Sequence, residues 1–135
     1  MSPTPSHQEL RNILHESSTI AVIGASPNPS RPSNWISHFL MNEGYTVIPV
    51  NPGHDELFGL KCFPDLARIN TAVDIVNIYR RSDAVEPIIE HAVQRNDIKL
   101  VWMQDNVYNP AAAQKAVKHG IPTVMDDCIY RFLVR

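Results

Sequence analysis

Five short clusters carry the side chains able to do chemistry on a ligand: Gly24-Ala25-Ser26 with Arg31 downstream, Asn51-Pro52, Tyr79-Arg80-Arg81, Gln104 to Asn106, and Asp126 to Cys128. The first lies in TIAVIGASPNPSRPSN, Thr19 to Asn34, where a short apolar strand stops at Gly24 and opens into a proline-punctuated loop before a helical pattern begins near Trp35. A glycine there lets backbone approach a phosphate, a serine hydroxyl can donate to it, and a guanidinium can grip its oxygens in a bidentate manner. A helix start beyond a strand end adds unpaired N–H groups and a positive dipole end, so phosphate is the expected guest. Each cluster also has a plain reading. Gly, Ser, Asn and Pro make ordinary turns, and adjacent arginines at a strand end often mark a solvated edge.

Catalytic constellations are thin. His7, His15, His38, His54, His91 and His119 neither pair at metal-ligand spacing nor sit in a nucleophile motif. His54-Asp55-Glu56 reads as a polar loop rather than a metal or acid–base cluster. Cys128 is the more interesting thiol. At a helix start the dipole favours its thiolate, which permits a mixed disulfide with a thiol-bearing ligand, whereas burial as a small apolar residue is the commoner fate.

Strands and helices must place these clusters together. Ser6 and Glu9 form a capping box ahead of Leu10, Ile13 and Leu14, predicting a helix that covers a sheet edge or face. Strands are expected at Ile20 to Ile23, Tyr45 to Val50, Val73 to Tyr79, Lys99 to Met103 and Pro122 to Met125. Between them, Ile36, Phe39 and Leu40 mark a helix that Gly44 ends, and His54 to Leu66 reads as a connection with a short helical turn. Val85, Ile88, Ile89, Ala92 and Val93 mark another helix, with Ser82 as its N-cap; Pro87 requires a later start or a bent first turn. Asn109-Pro110 opens and Gly120 closes the clearest helix, and Asp126 or Asp127 is expected to cap a terminal one.

This alternation predicts an α/β fold: a Rossmann-like, doubly wound parallel sheet of about five strands with helices on both faces, binding its ligand beyond the carboxyl ends of the strands. The 135 residues, 44% hydrophobic, are expected to form a single domain over 1–135, with 1–18 as an N-terminal helical extension. A net charge of −2 without a clustered basic face argues against bulk nucleic-acid binding. Two cysteines need no disulfide framework, no apolar run approaches the roughly 20 residues of a membrane helix, and a soluble, cytoplasmic protein is expected. A nicotinamide dinucleotide site is disfavoured: GASPNPSRP is not G-x-G-x-x-G, and Asn51 stands where an acidic residue would meet the ribose.

VIGASPNPSRPSNWISHFL, YTVIPVNPGHDELFGLKCFPDL, VDIVNIYRRSDAV, VWMQ and VMDDC, taken together, resemble the small single-domain CoA-binding proteins, relatives of the CoA-binding domain of the succinyl-CoA ligase α subunit. The resemblance covers about Thr19 to Cys128. It implies a CoA or acyl-CoA ligand but no reaction, with Gly24, Ala25, Ser26, Arg31, Asn51, Pro52, Tyr79, Arg80, Arg81 and Gln104 as ligand-binding positions. By this resemblance Tyr79 offers a face for adenine, Arg80 a charge for phosphate, with a weaker claim for Arg81, and the Gln104 amide a contact to a polar group. Two positions depart from the family's pattern: Asn106 replaces a common glycine, and Asp127 an often basic residue. Two other classes stay open, an NAD(P)-binding oxidoreductase or redox sensor, and a subunit presenting CoA to a separate acyl-CoA enzyme as partner.

Overall fold

A computed structural model describes residues 4–135. Five strands, β1 (Thr19–Ile23), β2 (Thr46–Val50), β5 (Ile75–Ile78), β6 (Leu100–Met103) and β7 (Thr123–Val124), form one parallel sheet in the order β2-β1-β5-β6-β7. The remaining two, β3 (Glu56–Leu57) and β4 (Leu60–Lys61), make a separate antiparallel hairpin. Near-continuous apolar runs suit strands covered on both faces, and alternate side chains divide between two cores. Ile20, Val22, Ile75, Leu100 and Trp102 face α1 (His7–Glu16), α2 (Pro32–Asn42) and α5 (Ile129–Val134). Ala21, Ile23, Val76, Ile78, Val101 and Met103 face α3 (Val85–Gln94) and α4 (Pro110–Lys118). The doubly wound α/β architecture is therefore as the strand–helix alternation predicts.

The N-terminal capping box is present, with Glu9 N–H donating to Ser6 Oγ and Ser6 N–H to Glu9 Oε1, and α1 packs Leu10 and Leu14 onto a sheet face rather than an edge. At α4, Asn109 accepts from Ala112 N–H at 3.1 Å, Pro110 follows, and Gly120 takes φ +80° beyond the end.

Three local expectations are corrected. The connection over 54–66 contains the β3–β4 hairpin, whose turn residues Phe58 and Gly59 both have positive φ. Such turns favour Asn-Gly; here the Phe58 ring packs on His38, with centroids 5.2 Å apart. Ser82 does not cap α3. It begins a 3-10 turn, Ser82–Ala84, so α3 starts late and Pro87 falls in its first turn, where a missing N–H breaks no helical bond. The Ser82 hydroxyl instead accepts from Tyr108 N–H at 2.9 Å. Neither Asp126 nor Asp127 caps α5: Asp126, at φ +54°, accepts from Asn106 N–H at 2.7 Å, and Asp127 accepts from Cys128 N–H at 2.8 Å. Cys128 itself holds the N-cap position, without a side-chain bond.

Among the described residues, no helix is long and apolar enough to cross a membrane.

Behind the sheet, Arg95 clamps the segment leading into β5, donating to the carbonyls of Leu66, Ile69 and Thr71 and pairing with Asp97 at 2.7 Å. Asp97 also accepts from Val73 N–H at 2.8 Å. Burial pushes its carboxyl up, but the bonds from Arg95 and Val73 outweigh that and hold it below the usual aspartate range. A carboxylate depressed in the folded state stabilises above its unfolded-state pKa, and the contribution is lost as pH falls through the folded value. Urea unfolding should therefore show stability declining as pH drops below the ordinary aspartate value. Asp97→Asn should flatten that decline and cost about 2 kcal/mol at neutral pH.

Candidate functional site

The chain leaves β1 toward α2 on one face and β5 toward α3 on the other, so their carboxyl ends diverge at the switch point of the sheet. A cavity of about 730 Å³ opens there between α2 and α5. Gly24, Ala25, Ser26, Arg31, Asn51, Tyr79 and Gln104 all border it.

Gly24 has φ +90°, and a Cβ on it would stand 3.0 Å from the Tyr79 carbonyl oxygen and 3.1 Å from Arg80 Cδ. Its N–H and that of Ala25 both donate to the Val50 carbonyl, at 2.9 and 3.2 Å, and are not available to a ligand. Asn51 is likewise occupied: its Nδ2 donates to the Ala25 carbonyl at 2.8 Å and its Oδ1 accepts from Gly53 N–H at 2.8 Å. The loop wires itself further, Asn28 N–H donating to Ser26 Oγ and Asn34 Nδ2 to the Ser26 carbonyl. Pro27, Pro29 and Pro32 have no N–H to give.

What stays unpaired is informative. Among the described residues, Ser26 N–H, Ser33 N–H, the Ser33 hydroxyl and the Arg31 guanidinium have no hydrogen-bond partner, and Ser33 is only 4% exposed. On the floor, Gln104 is 4% exposed. Its Oε1 accepts from Ile129 N–H at 2.9 Å and from Asn77 Nδ2 at 3.3 Å, while its Nε2 has no partner. The Tyr79 phenolic oxygen is fully buried and unpartnered. Burial, then the charges of Cys128 and Asp105, push its pKa well up, so it remains an O–H donor. The unspent groups around this cavity are thus largely donors, complementary to a ligand rich in acceptor oxygens.

Across the opening, Arg131 is already committed, bidentate to Asp105 at 2.7 and 2.8 Å and bonded to Asp127 at 3.2 Å. The Asp105 carboxyl is held low chiefly by the Arg131 hydrogen bond. Trp35, 41% exposed, meets Tyr130 edge-on with centroids 5.1 Å apart, making an aromatic wall. Ser33, Trp35, Tyr130 and Arg131 are cavity residues that the sequence reading did not single out. The one available signal was Pro32 at a helix start, which places Ser33 among the free N–H groups of a first turn.

Three expected ligand positions lie elsewhere. Pro52 and Arg80 border a second hollow of about 270 Å³ on the α3 side, with His91 and Asp65, and Gly24 is common to both hollows. Arg81 pairs with Asp83 at 3.3 Å, its side chain 83% exposed. The Tyr79 ring packs against core residues and its hydroxyl is enclosed by protein, so only part of the residue borders the site.

The model of the CoA binding domain matches residues 18–133. The chain belongs to that family. Similar proteins match it over different lengths. The uncharacterized protein YneT of Bacillus subtilis (strain 168) is 38% identical over 125 residues, 93% of this chain and 92% of YneT. A hypothetical protein from Pyrococcus horikoshii OT3 superposes with a TM-score of 0.93 at 33% identity, covering 98% of this chain and 93% of that one. Acetate–CoA ligase [ADP-forming] II of Archaeoglobus fulgidus is 32% identical over 124 residues, 84% of this chain but only 18% of the ligase. The Pyrococcus horikoshii protein shares this α/β fold, and Asn106 of this chain adopts φ +69°, the left-handed region that glycine and asparagine tolerate best.

Gly24 ties the site to the fold. Gly24→Ala forces a Cβ against the Tyr79 carbonyl at positive φ, and should lower unfolding stability by about 2 kcal/mol in denaturant titration.

Proposed function

We propose that this chain binds coenzyme A or an acyl-CoA through the loop after β1. The observation that carries the proposal is the convergence of unspent donors on one cavity wall: Ser26 N–H, Ser33 N–H and hydroxyl, and the Arg31 guanidinium. A pyrophosphate accepts from all of them. The amide hydrogens belong to Ser26 and Ser33 rather than to Gly24 and Ala25, whose role is to let the loop pass close to β2 and β5. Gly24 is the saddle between two hollows, so an elongated nucleotide crosses it with one end in each. Arg80 then meets a phosphate on the α3 side, beside Pro52. Arg81, paired with Asp83, contributes only to the surrounding field.

A nicotinamide dinucleotide fits less well. Asn51 has both ends of its amide engaged within the protein and offers no carboxylate to a ribose. No reaction is assigned, because the cavity offers a binding surface without a paired nucleophile and base. One observation favours a role beside a larger enzyme: the Archaeoglobus ligase contains a segment similar to 84% of this chain, and that segment is only 18% of the ligase. A chain of this kind presents its CoA to a separate acyl-CoA enzyme.

Isothermal titration should give saturable heat with CoA and none comparable with ATP or NADH. Arg31→Ala should weaken CoA by about tenfold, the equivalent of a charge-assisted hydrogen bond. Absence of CoA binding, or equal binding of ATP, rejects the proposal.

A further inference from the structure

Cys128 borders the main cavity, is only 5% exposed, and belongs to the core beneath it. One buried group beside it points to a ligand. Gln104 is pinned through its Oε1 to the N–H of Ile129, the residue next to Cys128, and its Nε2 is left without a partner on the cavity floor. Tyr79 also borders the cavity, though its hydroxyl is enclosed by protein and has no partner. An unpaired buried donor is unfavourable until an acceptor arrives, and Gln104 follows the end of β6 and is bonded to the first residue of α5, next to Cys128.

Resting on the CoA reading above, we infer that Cys128 captures the thiol end of the ligand by thiol–disulfide exchange, so that the protein carries CoA covalently when CoA is presented as a disulfide. With the pyrophosphate at Ser26 and Ser33, the arm beyond it runs along the floor. Its amide carbonyls accept from Gln104 Nε2, and its sulfur is delivered to Cys128. Cys128 loses its proton to water and its sulfur attacks one sulfur of the ligand disulfide. A new S–S bond joins Cys128 to one CoA, the old S–S bond breaks, and the departing CoA thiolate takes up a proton. No outside oxidant enters, since the ligand disulfide is itself the oxidised reactant. Binding raises the local concentration of the disulfide at Cys128, which makes the exchange selective for a ligand the cavity recognises.

Cys62 is a built-in comparison. It does not border this cavity, its thiol donates to the Asn51 carbonyl at 3.6 Å, and burial pushes its pKa up. The probe is CoA disulfide, with glutathione disulfide as the ligand lacking a nucleotide. Intact-mass spectrometry of the reduced full chain should show one CoA moiety added and released again by dithiothreitol. Peptide mapping of the wild-type adduct should place it on Cys128, Cys128→Ser should remove it, and Cys62→Ala should keep it. Modification by CoA disulfide should run at least about tenfold faster than by glutathione disulfide. An adduct on Cys62, equal rates with the two disulfides, or no adduct in a protein that still binds CoA by calorimetry would each overturn this inference and leave the binding proposal standing. Loss of calorimetric binding as well would bring down both.

Discussion

The structure depends on how closely three strand ends approach one another at Gly24. The Val50 carbonyl at the end of β2 takes the N–H groups of both Gly24 and Ala25, and the Tyr79 carbonyl at the end of β5 lies where any side chain on Gly24 would have to sit. A positive φ turns the chain upward at that point, toward α2 on one face, while β5 leaves for α3 on the other. The divergence opens a hollow on each side of one residue. Only a residue without a Cβ permits that spacing at no steric cost.

Backbone donors are then distributed by elementary accounting. Between Gly24 and Asn34 the chain has three prolines, and most of its other N–H groups are satisfied inside the loop by Val50, Asn28, Ser26 Oγ and Arg31. The loop is thereby rigid without a ligand, which lowers the ordering cost of binding one. The few groups left over, at Ser26 and Ser33, face the cavity that Arg31 also borders. Across the opening Arg131 has its charge answered by Asp105 and Asp127, so the positive field is concentrated on the Arg31 side.

Below this wall lies a polar floor inside an otherwise apolar core. Asn77, fully buried between Ala21-bearing β1 and Trp102-bearing β6, bonds to the Trp102 carbonyl and to Gln104 but leaves its own Oδ1 unpaired. Unsatisfied buried groups of this kind each cost about 1–3 kcal/mol. The apolar packing on both faces of the sheet, and clamps such as Arg95 on the carbonyls ahead of β5, hold the strands in place despite that cost. Native cores accept such costs mainly at functional positions.

Much of the architecture was legible from local chemistry. Apolar strand runs, the Ser6–Glu9 capping box and the Asn109-Pro110 to Gly120 helix announce themselves because their signals lie within a few residues of each other. The β3–β4 hairpin was hidden because Phe58 occupies a turn position that sequence reasoning reserves for Asn or Gly, and it is held there by packing on His38. The caps expected of Ser82, Asp126 and Asp127 failed because Ser82 and Asp126 found partners outside the helix each was expected to start, while Asp127 spent its carboxylate on Cys128 N–H and the Arg131 guanidinium rather than on a first-turn N–H of α5.

For the site, the sequence alone determined which clusters stand at strand ends, since that follows from the order of apolar runs and breakers. Tertiary structure decided which members face the same cavity and which donors remain unspent. Gly24 and Ala25 lost their N–H groups to Val50, Asn51 spent its amide on the loop, and Arg80 went to the far side of Gly24. Ser33 and Gln104 Nε2 were left unpaired on residues that border the cavity. A residue type states what bonds a group can make. Only the neighbours brought in by strand order, from β2 on one side and β5 and β6 on the other, determine which of those bonds are already made.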